Sequence, residues 1–171
     1  MNLILCGMMG AGKTTVGVKI ADKTGLRWYD TDGMITDRHG KIADIFEYYG
    51  EEYFRRLETD IVKELSSQDS LVISTGGGLV LKPENNTLLQ EKGKIVFLRA
   101  TLDTLATRLN LDETRPLLKS ATENIYERLK KLLVERLPVY ESVADYIVDV
   151  DGKTPEQVAT EIIAVAGITT K

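Results

Sequence analysis

Short apolar runs alternate along this chain with longer stretches in which apolar residues recur every three or four positions. Leu3 to Cys6, Leu71 to Ser74, Ile95 to Arg99 and Tyr146 to Val150 are runs of the first kind and predict strands, with Arg27 to Tyr29 as a shorter fifth. Helical spacing predicts helices over Gly12 to Lys23, Met34 to Arg38, Ile42 to Tyr49 and Glu51 to Ser66, the last with Phe54, Leu57, Ile61 and Leu65 on one face. Further helices are expected over Pro83 to Glu91, Leu102 to Asn110, Asn124 to Leu137 and Pro155 to Ala166, with Pro138 stopping the third of these. Asp112 to Thr122 carries little periodicity.

Strand alternating with helix predicts an α/β fold: three layers, α/β/α, around a mainly parallel five-stranded sheet. Continuous apolar strands suit burial on both faces. In such folds ligands bind beyond the carboxyl ends of the strands. Gly7 to Thr14, Asp30 to Asp32 and Gly76 to Gly78 fall at those ends. A chain of 171 residues without repeats or linkers predicts one domain over 1–171.

Composition narrows the partners. Hydrophobic residues at 43% and charged residues at 28% are those of an ordinary globular protein. Cys6 is the single cysteine, so no intrachain disulfide is available, and a reducing, cytoplasmic setting is expected. A net charge of −4 argues against a nucleic-acid partner. The apolar N-terminus lacks a charged leader and a cleavage site and reads as a buried strand. No apolar run is long enough to span a membrane. The chain is expected to act as a monomer.

The chemistry begins at Gly7-Met8-Met9-Gly10-Ala11-Gly12-Lys13-Thr14, which matches the phosphate-binding pattern G-x-x-x-x-G-K-[ST] between a strand and a helix. Glycines let the backbone turn tightly and aim N–H groups of Gly10, Ala11 and Gly12 at phosphate oxygens, where the helix N-terminus adds its dipole. Lys13 reaches the β and γ phosphates, the Thr14 hydroxyl ligates Mg²⁺, and Thr15 adds an α-phosphate contact. The chain is thus expected to bind ATP with Mg²⁺ on a P-loop kinase fold like that of the nucleoside-monophosphate kinases.

Asp30-Thr31-Asp32 follows a short strand. In extended chain the two carboxylates point to one side, so one can hold Mg²⁺ and the other orient an acceptor hydroxyl. Equally, Thr31 or Asp32 can cap the next helix. The strand ending at Ser74 has no terminal acid where such loops usually have an Asp for the metal, which directs the metal role to Asp30.

Several further segments occur in an order and spacing that resemble the shikimate kinase family. They are Phe54-Arg55-Arg56-Leu57-Glu58, Ser74-Thr75-Gly76-Gly77-Gly78, Arg115-Pro116-Leu117-Leu118 and Arg136-Leu137-Pro138-Val139-Tyr140, together with the loop and the Asp30–Asp32 step. The resemblance covers nearly the whole chain. It implies ATP-dependent phosphorylation of the 3-hydroxyl of shikimate, a step toward chorismate and the aromatic amino acids. Asp32 would be the catalytic carboxylate, acting with Lys13 and Arg115. Asp30 would hold Mg²⁺, through water, beside Thr14. Arg55 and Arg136 would clamp the acceptor carboxylate, with Glu58 steadying Arg55, and Gly76, Gly77 and Gly78 would approach the ring. Arg108 and Pro155 would flank the adenine. An acceptor segment over 31–62 and a lid over 111–123, carrying Arg115 to the phosphates, would complete the domain.

Planar guanidinium groups suit a carboxylate because they bind it bidentately. Taken alone, however, Arg55, Arg108 and Arg136 are better read as solvated surface charges, as is His39. Two other readings stay open: a kinase of the same scaffold with a gluconate-like or nucleotide acceptor, and a nucleotide-binding module without catalysis.

Overall fold

The computed structural model describes residues 1–109 and 124–171; the expected lid at 111–123, and Arg115 with it, lie outside the described residues. Five strands form one sheet: β1 (Asn2–Cys6), β2 (Arg27–Asp30), β3 (Leu71–Ser74), β4 (Gly93–Arg99) and β5 (Tyr146–Asp149). Their order is β2-β3-β1-β4-β5 and every neighbouring pair is parallel. The all-apolar runs occupy the centre: β1 and β3 are buried along their whole length, while the edge strands β2 and β5 are half-exposed. The expected α/β sheet is therefore present, and it is parallel throughout.

Eight α-helices connect and cover the strands among the described residues: α1 (Lys13–Thr24), α2 (Thr31–His39), α3 (Ile42–Tyr49), α4 (Glu51–Ser66), α5 (Pro83–Lys92), α6 (Leu102–Leu109), α7 (Ile125–Val143) and α8 (Pro155–Val165). The predicted face of α4 is buried, with Phe54, Leu57, Ile61 and Leu65 in the core. The start of α8 is fixed by a capping box: Thr154 Oγ1 accepts from Gln157 N and Gln157 Oε1 accepts from Thr154 N, with Pro155 in the first turn.

The topology sets the position of the site. After β1 the chain moves to one side of the sheet for β2 and β3, then crosses to the other side for β4. The loop after β1 therefore lies where the strand order reverses, the place where open parallel sheets bind ligands.

Two expectations need correction. Pro138 does not stop α7, which continues to Val143 with the proline inside it. The helix carbonyl that loses its N–H partner to Pro138 belongs to Val134, whose side chain is exposed, so water can take the place of the missing donor. Beyond the proline, fully buried Tyr140 anchors the last turns. Second, α2 begins at Thr31, not near Met34. Asp30 caps it, accepting from Gly33 N at 3.0 Å, so neither Thr31 nor Asp32 is the cap and Asp32 sits in the first turn.

Buried Gly17 is where α1 meets the sheet. Ser74 Oγ donates to the Lys13 carbonyl at 2.9 Å and accepts from Trp28 Nε1 at 3.0 Å. A Cβ on Gly17 would lie 2.6 Å from both Ser74 Oγ and Trp28 Nε1. Gly17→Ala should therefore lower the melting temperature. Overpacking by about 1–3 kcal/mol outweighs the roughly 1 kcal/mol that alanine gains in a helix. A thermal melt that rises in this variant would show that the helix can shift at no cost.

Candidate active site

The loop from Gly7 to Thr14 is folded as its sequence requires. Gly7, Gly10 and Gly12 have φ of 141°, 85° and 95°, in the region that favours glycine, and Gly12 caps α1 in the left-handed conformation. Lys13, though cationic, is largely buried. Its Nζ donates to the carbonyls of Gly7 at 2.7 Å and Met8 at 2.9 Å, which holds the loop in shape. Arg108, at the end of α6, closes the other side by donating from Nη1 to the Gly10 carbonyl at 3.0 Å.

Beside the loop, Thr14 Oγ1 donates to Asp30 Oδ2 at 2.7 Å. Asp30 thus serves two ends at once, one oxygen on the α2 cap and one on the threonine hydroxyl. Capping by Asp30 leaves its other oxygen on the threonine hydroxyl, so one side chain can serve the cap and the metal role expected of it. A hydroxyl and a single carboxylate make a small, hard, all-oxygen donor set. That suits Mg²⁺, which takes few protein ligands and keeps water and phosphate as the rest. No cluster of three or more His, Cys, Asp or Glu side chains able to hold a metal occurs among the described residues.

The acceptor half is built over the turn that follows β3. Gly76 N donates to Thr31 Oγ1 at 2.9 Å, tying the turn to the start of α2. None of Gly76, Gly77 and Gly78 has a positive φ. They are needed for space. A Cβ on Gly76 would lie 2.5 Å from Asp32 Oδ1, one on Gly77 3.0 Å from Arg136 Nη1, and one on Gly78 2.5 Å from both terminal nitrogens of Arg55. The three charged side chains expected to meet an acceptor are thus laid directly on backbone.

Arg136 is 4% exposed, not the solvated charge its sequence suggests in isolation. Its Nε and Nη1 are buried without a hydrogen-bond acceptor among the described residues. Arg55 is partly buried and donates to Glu58 Oε2 at 2.7 Å and to Glu51 Oε1 at 3.2 Å. Glu58 is itself buried, and its Oε1 has no hydrogen-bond partner among the described residues. Burial pushes its carboxyl up to about 7, Arg55 and Arg136 oppose the shift, and nearby Asp32 adds to it.

Both halves open into one cleft of about 1080 Å³. The loop residues Gly10 to Thr15, Asp30, Asp32, Arg55, Gly76 to Gly78, Arg108, Arg136 and Pro155 all line it. Every predicted site residue among the described ones is therefore brought together. The cleft also holds residues that sequence reasoning passed over. Ile42, Phe46 and Phe54 form an apolar wall; the first two had been read only as part of a helix, and Phe54 as part of the apolar face of α4 and of the segment Phe54 to Glu58. Lys153, whose Nζ lies 2.6 Å from Glu161 Oε2, comes from the loop after β5. Its place at a strand's carboxyl end was the available signal.

A phosphate loop at the switch point, facing a polar acceptor floor, defines a P-loop kinase for a small molecule. A family model for shikimate kinase matches residues 9–166. The chain is 42% identical over 165 residues to a shikimate kinase of Caldicellulosiruptor bescii, covering 96% of this chain and 94% of the relative. It is 44% identical over 162 residues to one of Geobacter sulfurreducens, covering 94% and 88%. Among solved structures, shikimate kinase from Acinetobacter baumannii in complex with shikimate superposes with a TM-score of 0.91 at 37% identity, covering 96% of this chain and 91% of that one. The deoxyadenosine kinase of M. mycoides with bound dATP, at a TM-score of 0.62 and 16% identity over 96% of this chain and 99% of that one, shares the fold. The chain belongs to the shikimate kinase family.

The raised Glu58 carboxyl gives a pH signature. Between its ordinary value of 4.5 and about 7 the folded state holds a proton that the unfolded chain has released. Stability contributed by this group is therefore present below the lower value and is lost as pH rises through the window, by about 3 kcal/mol at most. Glu58→Gln should flatten that decline in ligand-free protein. Denaturant titrations of both proteins at pH 5 and pH 8 check it, and parallel losses would remove Glu58 as the source.

Proposed function

We propose that this chain transfers the γ-phosphoryl group of ATP to the 3-hydroxyl of shikimate, giving shikimate 3-phosphate and ADP. The observation that carries the reading is the acceptor floor. Asp32, Arg55 and Arg136 are seated on Gly76 to Gly78 in the same cleft as the phosphate loop. Nitrogens of Arg136 that are buried and without a hydrogen-bond partner among the described residues call for an anion, and a planar carboxylate is the anion an arginine pair binds best. An adjacent carboxylate, Asp32, suits a hydroxyl. The acceptor this describes is a small hydroxylated acid, and the A. baumannii relative is a shikimate kinase in complex with shikimate.

In the transfer the acceptor oxygen forms the new bond to the γ-phosphorus, the bond from that phosphorus to the β–γ bridging oxygen breaks, and ADP leaves with the electron pair. Asp32 orients the hydroxyl and takes its proton. Lys13 moves its donors from the loop carbonyls to the β and γ phosphates. Thr14, and Asp30 through water, would hold Mg²⁺, which supplies charge neutralisation on the phosphates. Thr15 and the N–H groups of Gly10, Ala11 and Gly12 bind phosphate, and Arg108 and Pro155 flank the adenine. Arg115, on the lid at 111–123 outside the described residues, adds a cation to the transferring group. Most of the acceleration is positioning and electrostatics, as suits phosphoryl transfer. We assign the whole of 1–171 to one kinase domain with its acceptor segment at 31–62, acting as a monomer in the cytoplasm. That setting suits the lone buried Cys6, and among the described residues no helix is long and apolar enough to cross a membrane.

Purified protein with ATP and Mg²⁺ should release ADP with shikimate and not with gluconate or nucleoside monophosphates; release with either of the others instead would reassign the acceptor. Asp32→Asn should lower kcat by about 10²–10⁴ while ATP affinity is kept. Unchanged turnover would take Asp32 out of the reaction. Arg136→Lys should raise KM for shikimate about tenfold or more and KM for ATP far less, since the bidentate geometry is lost. Equal losses for both substrates would count against the carboxylate clamp.

A further inference from the structure

One buried hydroxyl has no part in the transfer. Tyr140 lies on α7 one turn beyond Arg136, so the two side chains leave the same face of the helix. It is fully buried and is not among the residues that line the cleft. Its hydroxyl donates to the carbonyl of Gly77 and lies 3.9 Å from Sδ of Met8 in the phosphate loop. Its ring stacks on Phe97 of β4, with centroids 5.0 Å apart. A single side chain thus touches the donor loop, the acceptor turn and the central sheet.

The turn itself is sparsely held. Its hydrogen bonds are Gly76 N to Thr31 Oγ1, Leu79 N to the Gly76 carbonyl and Leu81 N to the Gly78 carbonyl. The Gly77 and Gly78 N–H groups are then left without a protein acceptor among the described residues, and both glycines line the cleft. The described residues contain no cis peptide. A trans peptide carries its C=O and the following N–H on opposite sides, so the direction of the Gly77 carbonyl dictates that of the Gly78 N–H. Glycines have the most freedom to rotate such a peptide, and among the described residues only Tyr140 donates to that carbonyl.

We propose that Tyr140 is a positioning residue for the acceptor half of the site. Its hydroxyl fixes the Gly77–Gly78 peptide and registers the turn against the phosphate loop and Arg136. The inference rests on the function proposed above. Burial pushes the phenol up to about 12, so the hydroxyl remains a donor at neutral pH.

Tyr140→Phe keeps the ring and removes only the hydroxyl. It should raise KM for shikimate about tenfold, because a buried carbonyl loses its donor and the turn its alignment, with KM for ATP within about twofold of wild type. Phe97→Leu loosens the same packing without touching the hydrogen bond. It should lower the melting temperature and leave the ratio of the two KM values unchanged. A Tyr140→Phe enzyme with unchanged KM for shikimate, or with both KM values raised equally, overturns the proposal. So does Phe97→Leu reproducing the selective rise, which would make the effect one of packing. A wild-type protein that forms no ADP with shikimate overturns the function itself, and this inference with it.

Discussion

The acceptor side of this molecule depends on the absence of side chains at three successive positions. Gly76, Gly77 and Gly78 adopt ordinary backbone angles, so conformational freedom does not explain them. What explains them is that Asp32 and Arg55 crowd the space a Cβ on Gly76 or Gly78 would take, while Arg136 lies in tight contact, 3.0 Å, with that of Gly77. Laying charged groups on bare backbone brings the groups close together and presents peptide N–H groups beside them. The arrangement also fixes the arginines without long flexible reaches, which is how a site lowers the entropy lost on binding.

The donor side is held by a different device. The Lys13 ammonium spans two carbonyls of its own loop, so the loop is shaped before any phosphate arrives. Asp30 joins the halves, since its carboxylate accepts from Thr14 in the loop helix and from Gly33 in the acceptor helix. Thr31, the next residue, receives the Gly76 N–H. Two adjacent residues at the end of β2 therefore lock the phosphate loop, the acceptor helix and the glycine turn into one frame. The parallel sheet makes this possible, because β1, β2 and β3 deliver their carboxyl ends side by side.

Much of this was legible in the sequence, for identifiable reasons. The phosphate loop reads directly because its glycines are demanded by local backbone geometry, and local demands leave local patterns. β3 and α4 were placed at their observed limits because an uninterrupted apolar run and a 3.6-residue face are strong signals. Burial of Arg136 was not legible, since α7 mixes apolar and charged residues throughout and an arginine shows nothing of its surroundings. The continuation of α7 through Pro138 was missed for a related reason. The rule that proline ends helices assumes that the orphaned carbonyl has no other partner, and an exposed Val134 removes that assumption. The cap of α2 was expected at Thr31 or Asp32 and is Asp30 instead, because one atom's reach decides it and spacing does not encode reach.

Charge explains why such a site is costly when empty. The chain carries a net −4, yet Lys13, Arg55, Arg108 and Arg136 all line the cleft that the proposed substrates, both anionic, would enter. Carboxylates are interleaved among them, and one of these, Glu58, is buried enough that its carboxyl is pushed up to about 7. Among the described residues two buried nitrogens of Arg136 and one buried oxygen of Glu58 have no hydrogen-bond partner, so their desolvation is only partly offset. An acceptor carboxylate set between the arginines, as proposed above, would satisfy the nitrogens. Binding therefore recovers free energy that folding gave up, and the bound form is stabilised by more than its new contacts alone would suggest. The same reasoning sets a limit on improving the apo protein. Removing Glu58 alone would leave Arg55 without its 2.7 Å partner, a loss that outweighs the burial it relieves.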